Sequence, residues 1–182
     1  MYGLVNKAIK SLVMSSSGES AWQAICAAAN ITSDEFEALA PYPDHVTYDL
    51  VRAASQHLNI SPETLLKKFG HHWVKYTAEQ QYGEIMNVFG KDFRSCVKNL
   101  NRMHSHIAAL MPALQPPRFL VSDEKESSLT VHYHSVRAGL SSMVIGLLEG
   151  LSIRYNEPVS ITHVPPGVRS DHDEFDIVFR AP

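Results

Sequence analysis

The stretch Leu129–Gly139, LTVHYHSVRAG, decides how this chain is read, because helical periodicity gives way there to alternation. Side chains of a strand alternate between its two faces, so Tyr133, Ser135 and Arg137 are expected on one face, with His132, His134 and Val136 on the other. A phenol, a hydroxyl and a guanidinium in a row are three hydrogen-bond donors, one of them permanently cationic. Such a row suits an anion. A solvent-facing polar edge would show the same alternation, since half-exposed strands commonly do.

Upstream of this stretch the pattern is helical. Val5, Ile9, Leu12 and Val13 recur at helical spacing, and a second helix follows Gly18. Thr47 is expected to cap the amphipathic run TYDLVRAASQHLN, and Ser61 followed by Pro62 marks the start of the next helix. Residues 79–89 read as a short helix, and 91–111 as a long one stopped by Pro112 and by Pro116–Pro117. Downstream, RFLVSD (118–123) and SLTVHYHS (128–135) read as strands. AGLSSMVIGLLEGLSIRYN (138–156) is a helix with small residues at Gly146 and Gly150, and VSITHV (159–164) and FDIVFR (175–180) are closing strands. The expected class is α+β, a helical N-terminal lobe followed by ββαββ.

With 182 residues the chain can bury the core of one domain. Its 45% hydrophobic and 19% charged residues exclude a disordered chain. A net charge of −3, without a basic stripe, gives no reason to expect nucleic acid. Cys26 and Cys96 lack ligand spacing and read as small buried hydrophobes. The N-terminal apolar run is interrupted by Asn6, Lys7 and Lys10, and no other run is long enough to span a bilayer, so a soluble, cytoplasmic protein is expected.

On the long helix, Phe93, Val97, Leu100, Met103, Ile107 and Met111 mark one apolar face. His104 lies beside that face and His106 points away from it. Two readings of His104 are open. It is a core imidazole with a hydrogen-bond partner, or an axial ligand to a haem iron, which needs a neutral imidazole in an apolar pocket. In the second case Tyr133, Ser135 and Arg137 would hold the haem carboxylates through charge-assisted bonds. Of the other histidines, His132 and His134 share a strand face, and His71, His72, His163 and His172 could add ligands. No Cys-x-x-Cys or His-Glu-x-x-His spacing supports a zinc module, however. Ser135 has no nucleophile elbow around it, and no enzyme is expected.

YHSVR (133–137), His104 in NLNRMHSHIAALMP, Pro117 in QPPRF, MYGLVNKAI, TYDLVRAAS and MVIGLLEGL occur in the order seen in the haem nitric oxide/oxygen-binding (H-NOX) family. Over essentially the whole chain, as one domain spanning 1–182, the sequence resembles that family, which is related to the haem domain of soluble guanylate cyclase. The last dozen residues match least. The resemblance implies a distal helical lobe of approximately residues 1–60. It also implies a proximal lobe, 61–182, with a small antiparallel four-stranded sheet and packed helices. One non-covalent haem b would sit between them, ligated by His104, with its propionates on Tyr133, Ser135 and Arg137. Pro117 would press on it, with Leu100, Met103 and Ile107 around it.

The same resemblance implies a distal gas pocket of Met143, Trp73, Ile9, Val5 and Leu147. Met143 stands where oxygen-binding members carry a tyrosine, so nitric oxide and carbon monoxide are the expected ligands and dioxygen is excluded. The alternative is an oxygen-binding sensor of the same fold with the Trp73 indole N–H as donor. Nitric oxide would weaken the iron–histidine bond and let the lobes shift. The reader of that shift would be a histidine kinase or a diguanylate cyclase made as a separate chain, with no nucleic acid or membrane involved.

Overall fold

Prolines at 116 and 117 close the helical part of the chain and open the sheet. The computed structural model describes residues 1–77, 83–111 and 113–180. In order the elements are α1 (Gly3–Ala28), α2 (Asp44–His57), α3 (Pro62–Thr77), α4 (Gly83–Phe89), α5 (Phe93–Leu110), β1 (Arg118–Lys125), β2 (Ser128–His134), α6 (Ser141–Tyr155), β3 (Val159–Val164) and β4 (Asp173–Phe179). The strands pair antiparallel in the order β1-β2-β4-β3. This is the expected α+β class with its ββαββ half.

Local chemistry sets most boundaries. Within α1, Gly18 has φ 81°, a left-handed conformation open to a residue without Cβ, and the helix kinks there. At the start of α3 the Ser61 hydroxyl accepts from the Thr64 N–H at 3.2 Å, with Pro62 as the first helical residue. Asp92 caps α5 by accepting from the Ser95 N–H at 2.6 Å, and the Ser95 hydroxyl returns the bond in a capping box. Residues 79–82 of the short predicted helix and Pro112 lie outside the described residues.

Two expectations are corrected. Thr47 is not a cap: α2 starts at Asp44, and Thr47 is buried inside it, its hydroxyl donating to Asn6 Oδ1 of α1 at 2.7 Å. Nor do Ser135 and Arg137 continue the face of a strand. β2 ends at His134, opposite the first residue of β1, while Tyr133 stands opposite the first residue of β4. Pro117 precedes β1 and has no N–H for a ladder, so β2 runs out of partners. Beyond it, the Arg137 N–H donates to the Ser135 hydroxyl at 3.0 Å in an irregular run leading to α6.

Two buried clusters form among the described residues. One packs Trp22, Ile25, Leu50 and Ala54 between α1, α2 and α3; the other packs Phe93, Val97, Leu129, Val131, Leu148 and Phe175 between α5, α6 and the sheet. Helix α3 serves both, with Phe69 in the first and Val74 in the second. Its crossing with α6 is very close. A Cβ on Gly70 would lie 2.2 Å from the Met143 carbonyl oxygen, and one on Gly146 would lie 2.0 Å from that of Lys67. Only glycines allow this approach. Cys26 and Cys96 are buried as expected, and burial raises both thiols, Cys26 to about 11. No helix among the described residues is long and apolar enough to cross a membrane.

Candidate functional site

An apolar cavity of about 640 Å³ opens among α1, α2, α3, α5, α6 and the start of the sheet, within the range of ligand and cofactor pockets. Val5 and Ile9 of α1, Trp73 of α3, and Leu100, Met103, His104 and Ile107 of α5 line it. Pro117, Tyr133, Ser135 and Arg137 line it too, as do Met143 and Leu147 of α6. The residues singled out in the sequence therefore meet at one place, although Ser135 and Arg137 arrive there by a turn rather than by strand alternation.

His104 is partly buried, and its Nδ1 lies 3.2 Å from the Pro117 carbonyl oxygen. A carbonyl only accepts, so Nδ1 carries the proton and the lone pair of the neutral ring is on Nε2. Burial holds the imidazole below its usual pKa, outweighing the Pro117 bond that raises it, so the neutral form dominates. One helical turn earlier, Asn101 clamps the strand that carries this carbonyl. Its Oδ1 accepts from the Phe119 N–H at 2.8 Å, and its Nδ2 donates to the Phe119 carbonyl. His106 is exposed, its Nδ1 against the Arg102 carbonyl of its own helix at 3.3 Å.

The rim of the cavity is polar. Arg137 donates from Nε to Asp44 Oδ2 at 2.8 Å, from Nη2 to Asp44 Oδ1 at 3.4 Å, and from Nη1 to the Gln115 carbonyl at 2.9 Å. A guanidinium has five N–H groups, and among the described residues two of them are left for a further acceptor. Arg137, and after it the Met1 nitrogen, hold the Asp44 carboxyl below the usual carboxylate range. Burial pushes the Tyr133 phenol up, against the Ser135 hydroxyl beside it. Across the cavity the wall is mostly hydrocarbon and thioether; Thr77 adds a hydroxyl and Trp73 an indole, whose ring packs on Phe69 with centroids 5.9 Å apart. Among the described residues no hydrogen bond holds the Trp73 indole N–H.

Asp44, Asn101 and Gln115 are the site residues that sequence reasoning missed. Asp44 and Gln115 act through a side chain or a carbonyl brought near by folding, and nothing local signals that. Asn101 did leave a trace: it is an amide at the edge of the apolar stripe, three residues before His104.

The donor set suits a flat apolar molecule with carboxylates at one edge and a centre that takes an imidazole nitrogen. Comparison with known proteins agrees. The family described as Haem-NO-binding matches residues 2–163. Soluble guanylate cyclase gcy-31 of Caenorhabditis elegans is 25% identical over 152 residues, 84% of this chain and 22% of that protein. Guanylate cyclase soluble subunit beta-2 of Rattus norvegicus is 28% identical over 90 residues, 50% of this chain and 13% of that protein. The chain thus spans less than a quarter of the length of these curated relatives.

Among solved structures, an H-NOX protein from S. oneidensis in the Fe(II)NO ligation state has the same fold, with a TM-score of 0.89 and 20% identity over 100% of both chains. The Fe(II) unliganded H-NOX protein from K. algicida gives 0.86 at 20% identity, covering 100% of this chain and 98% of that one. With the family pattern running from Tyr2 into β3, and with the fold shared with those structures, the chain belongs to the haem-NO-binding (H-NOX) family.

Proposed function

We propose that this chain is a haem-based gas sensor that takes nitric oxide and carbon monoxide at a ferrous haem b and excludes dioxygen. The observation that carries the reading is the His104 tautomer: its Nδ1–H is engaged by the Pro117 carbonyl, which leaves the lone pair on Nε2 of a ring that lines an apolar cavity. An axial imidazole held by its outer nitrogen is the arrangement that fixes ring orientation and raises ligand basicity. When bound, haem would supply a ferrous iron with one position open to a diatomic gas.

The chain's own side chains would do the rest. His104 would hold the iron from the α5 side, with Leu100, Met103, Ile107 and Pro117 packed around it. The two uncommitted N–H groups of Arg137, with the Ser135 hydroxyl and the Tyr133 phenol, would hold the propionates. Val5, Ile9, Met143 and Leu147 would keep water from the opposite side. They offer no hydrogen-bond donor, which dioxygen needs and nitric oxide does not. We read signalling as a shift between approximately residues 1–60 and 61–182, passed to a histidine kinase or a diguanylate cyclase, with the chain itself acting as sensor and not as enzyme.

One observation favours a second reading. Trp73 lines the cavity, and its indole N–H, which no hydrogen bond engages among the described residues, is a donor, which suits an oxygen-binding sensor of the same fold. Absorption spectra of the dithionite-reduced protein, without oxygen, in air and with nitric oxide or carbon monoxide, test both. Indifference to air with a change on adding nitric oxide supports the first. A stable oxygen complex that disappears in Trp73→Phe moves the protein to the second. A protein that takes up no added haemin overturns both.

A further inference from the structure

The outer face of the sheet carries a cluster that the cavity does not use. Leu129, Val131 and Tyr133 of β2 face the core, so His132 and His134 face the other way. His132 stands opposite Glu174 of β4 in the ladder, and His172, two residues before Glu174, folds over the pair. His132 Nδ1 lies 2.9 Å from His172 Nε2 and 3.7 Å from Glu174 Oε1; the third side, His172 Nε2 to Glu174 Oε1, is 4.0 Å. The point equidistant from the corners of such a triangle is about 2.1 Å from each, the distance zinc keeps from imidazole nitrogen and carboxylate oxygen.

The outer nitrogens of both rings have polar partners of their own, Ser122 for His132 and Asp171 for His172. Ser122 gives its one hydroxyl proton to Asp123 Oδ2 at 3.1 Å. Its oxygen is also 2.7 Å from His132 Nε2; in the tautomer whose Nε2–H donates to that oxygen, His132 Nδ1 carries the lone pair. On the other ring, the Asp171 carboxylate lies 2.9 Å from His172 Nδ1 and can only accept, so Nδ1 carries that proton. In that arrangement the two rings present lone pairs to each other across 2.9 Å. The carboxylate of Glu174, a residue only 5% exposed, closes the third side. Three converging electron pairs, two of them on partly buried rings, call for a cation.

We propose that His132, His172 and Glu174 bind one divalent transition-metal ion, zinc first among those these donors suit, with the fourth position left to water. Two imidazoles and a carboxylate are a borderline-soft set that disfavours calcium and magnesium. Ser122 and Asp171 would orient the ligating rings through their outer nitrogens. The His134 ring packs against His172 at a tilt of 34°, with centroids 3.9 Å apart. Arg169 Nη1 approaches Glu174 Oε2 at 3.7 Å but is committed to Asp176 by two hydrogen bonds. A bound ion would pin the loop between β3 and β4 to β2, one residue before Tyr133. The ligands lie 40 and 42 residues apart across two strands, so no local spacing motif announces the site.

The test uses the full chain as purified, stripped with chelator, dialysed, and titrated with zinc against a chromogenic zinc indicator. One equivalent is expected to bind with a micromolar or tighter Kd. His172→Ala, in a loop, and Glu174→Gln are each expected to weaken binding about 100-fold or more, and Ser122→Ala by about 10- to 100-fold. His57→Ala should change nothing. Melting curves of the metal-free variants separate loss of a ligand from loss of fold. Absence of binding at 100-fold higher zinc than the micromolar expectation, or a folded His172→Ala that binds like the unsubstituted protein, overturns the site and leaves the two rings bridged by a proton.

Discussion

The two sides of the cavity are built on different principles. On the α5 side, position is set by directed polar bonds: His104 to the Pro117 carbonyl, and Asn101 to both backbone groups of Phe119. On the α3–α6 side, position is set by backbone against backbone at Gly70 and Gly146, and the surface offered to the cavity is almost wholly apolar. The first construction fixes a tautomer and the direction of a lone pair. The second fixes a shape and leaves little to hydrogen-bond with. The proposed function, a cofactor held on one side and small gases selected on the other, draws on this division.

Four changes would break or sharpen the contrast. The largest effect is expected at the directed side: His104→Gly should abolish normal haem retention, seen as loss of the Soret band after gel filtration, and added imidazole should restore it. His106→Gly should keep the band, and normal retention in His104→Gly would sink the ligand assignment. On the packed side, Gly146→Val should force α3 and α6 apart and cost about 3 kcal/mol in urea unfolding. A loss below about 0.5 kcal/mol would mean that the crossing yields easily.

Next comes Asn101→Ala, which strips partners from the Phe119 backbone and should cost about 2 kcal/mol. It should also broaden the ferrous haem spectrum, because the strand carrying the Pro117 carbonyl is no longer clamped. An unaltered spectrum in a destabilised variant would show that Asn101 supports the fold alone. The smallest effect lies at the rim. The folded Asp44 carboxyl is held below its unfolded value by Arg137 and the Met1 nitrogen. Its contribution is therefore complete above about pH 5 and is lost as pH falls through the unfolded value near 4 and on through the folded one. For so exposed an ion pair it should stay under about 1 kcal/mol. Unfolding of Asp44→Asn beside the unsubstituted protein from pH 8 to pH 3 measures this; a gap that widens in acid would contradict it.

How legible these features were follows from the range of the forces behind them. The helices α3 and α5 and the ββαββ order could be read directly, because caps, prolines and periodicity act within a few residues. His104 beside its stripe and His106 away from it could be read for the same reason. Thr47 was misread as a cap because the group that buries it, Asn6, is 41 residues away. Ser135 and Arg137 were misread as strand residues because β2 stops where its neighbours begin, and the length of a partner strand is not written in the strand itself.

By itself, then, the sequence determined the α+β class, the histidine beside an apolar helix face, and the Tyr-Ser-Arg donors that belong together. Each rests on residue type and short-range spacing. Only the tertiary structure decided that Asp44 and Gln115 hold Arg137 and that glycines of α3 and α6 touch backbone to backbone. It alone decided that His132, His172 and Glu174 converge on a point. Those contacts join groups tens of residues apart, and their energy depends on distances that do not exist until the chain has folded.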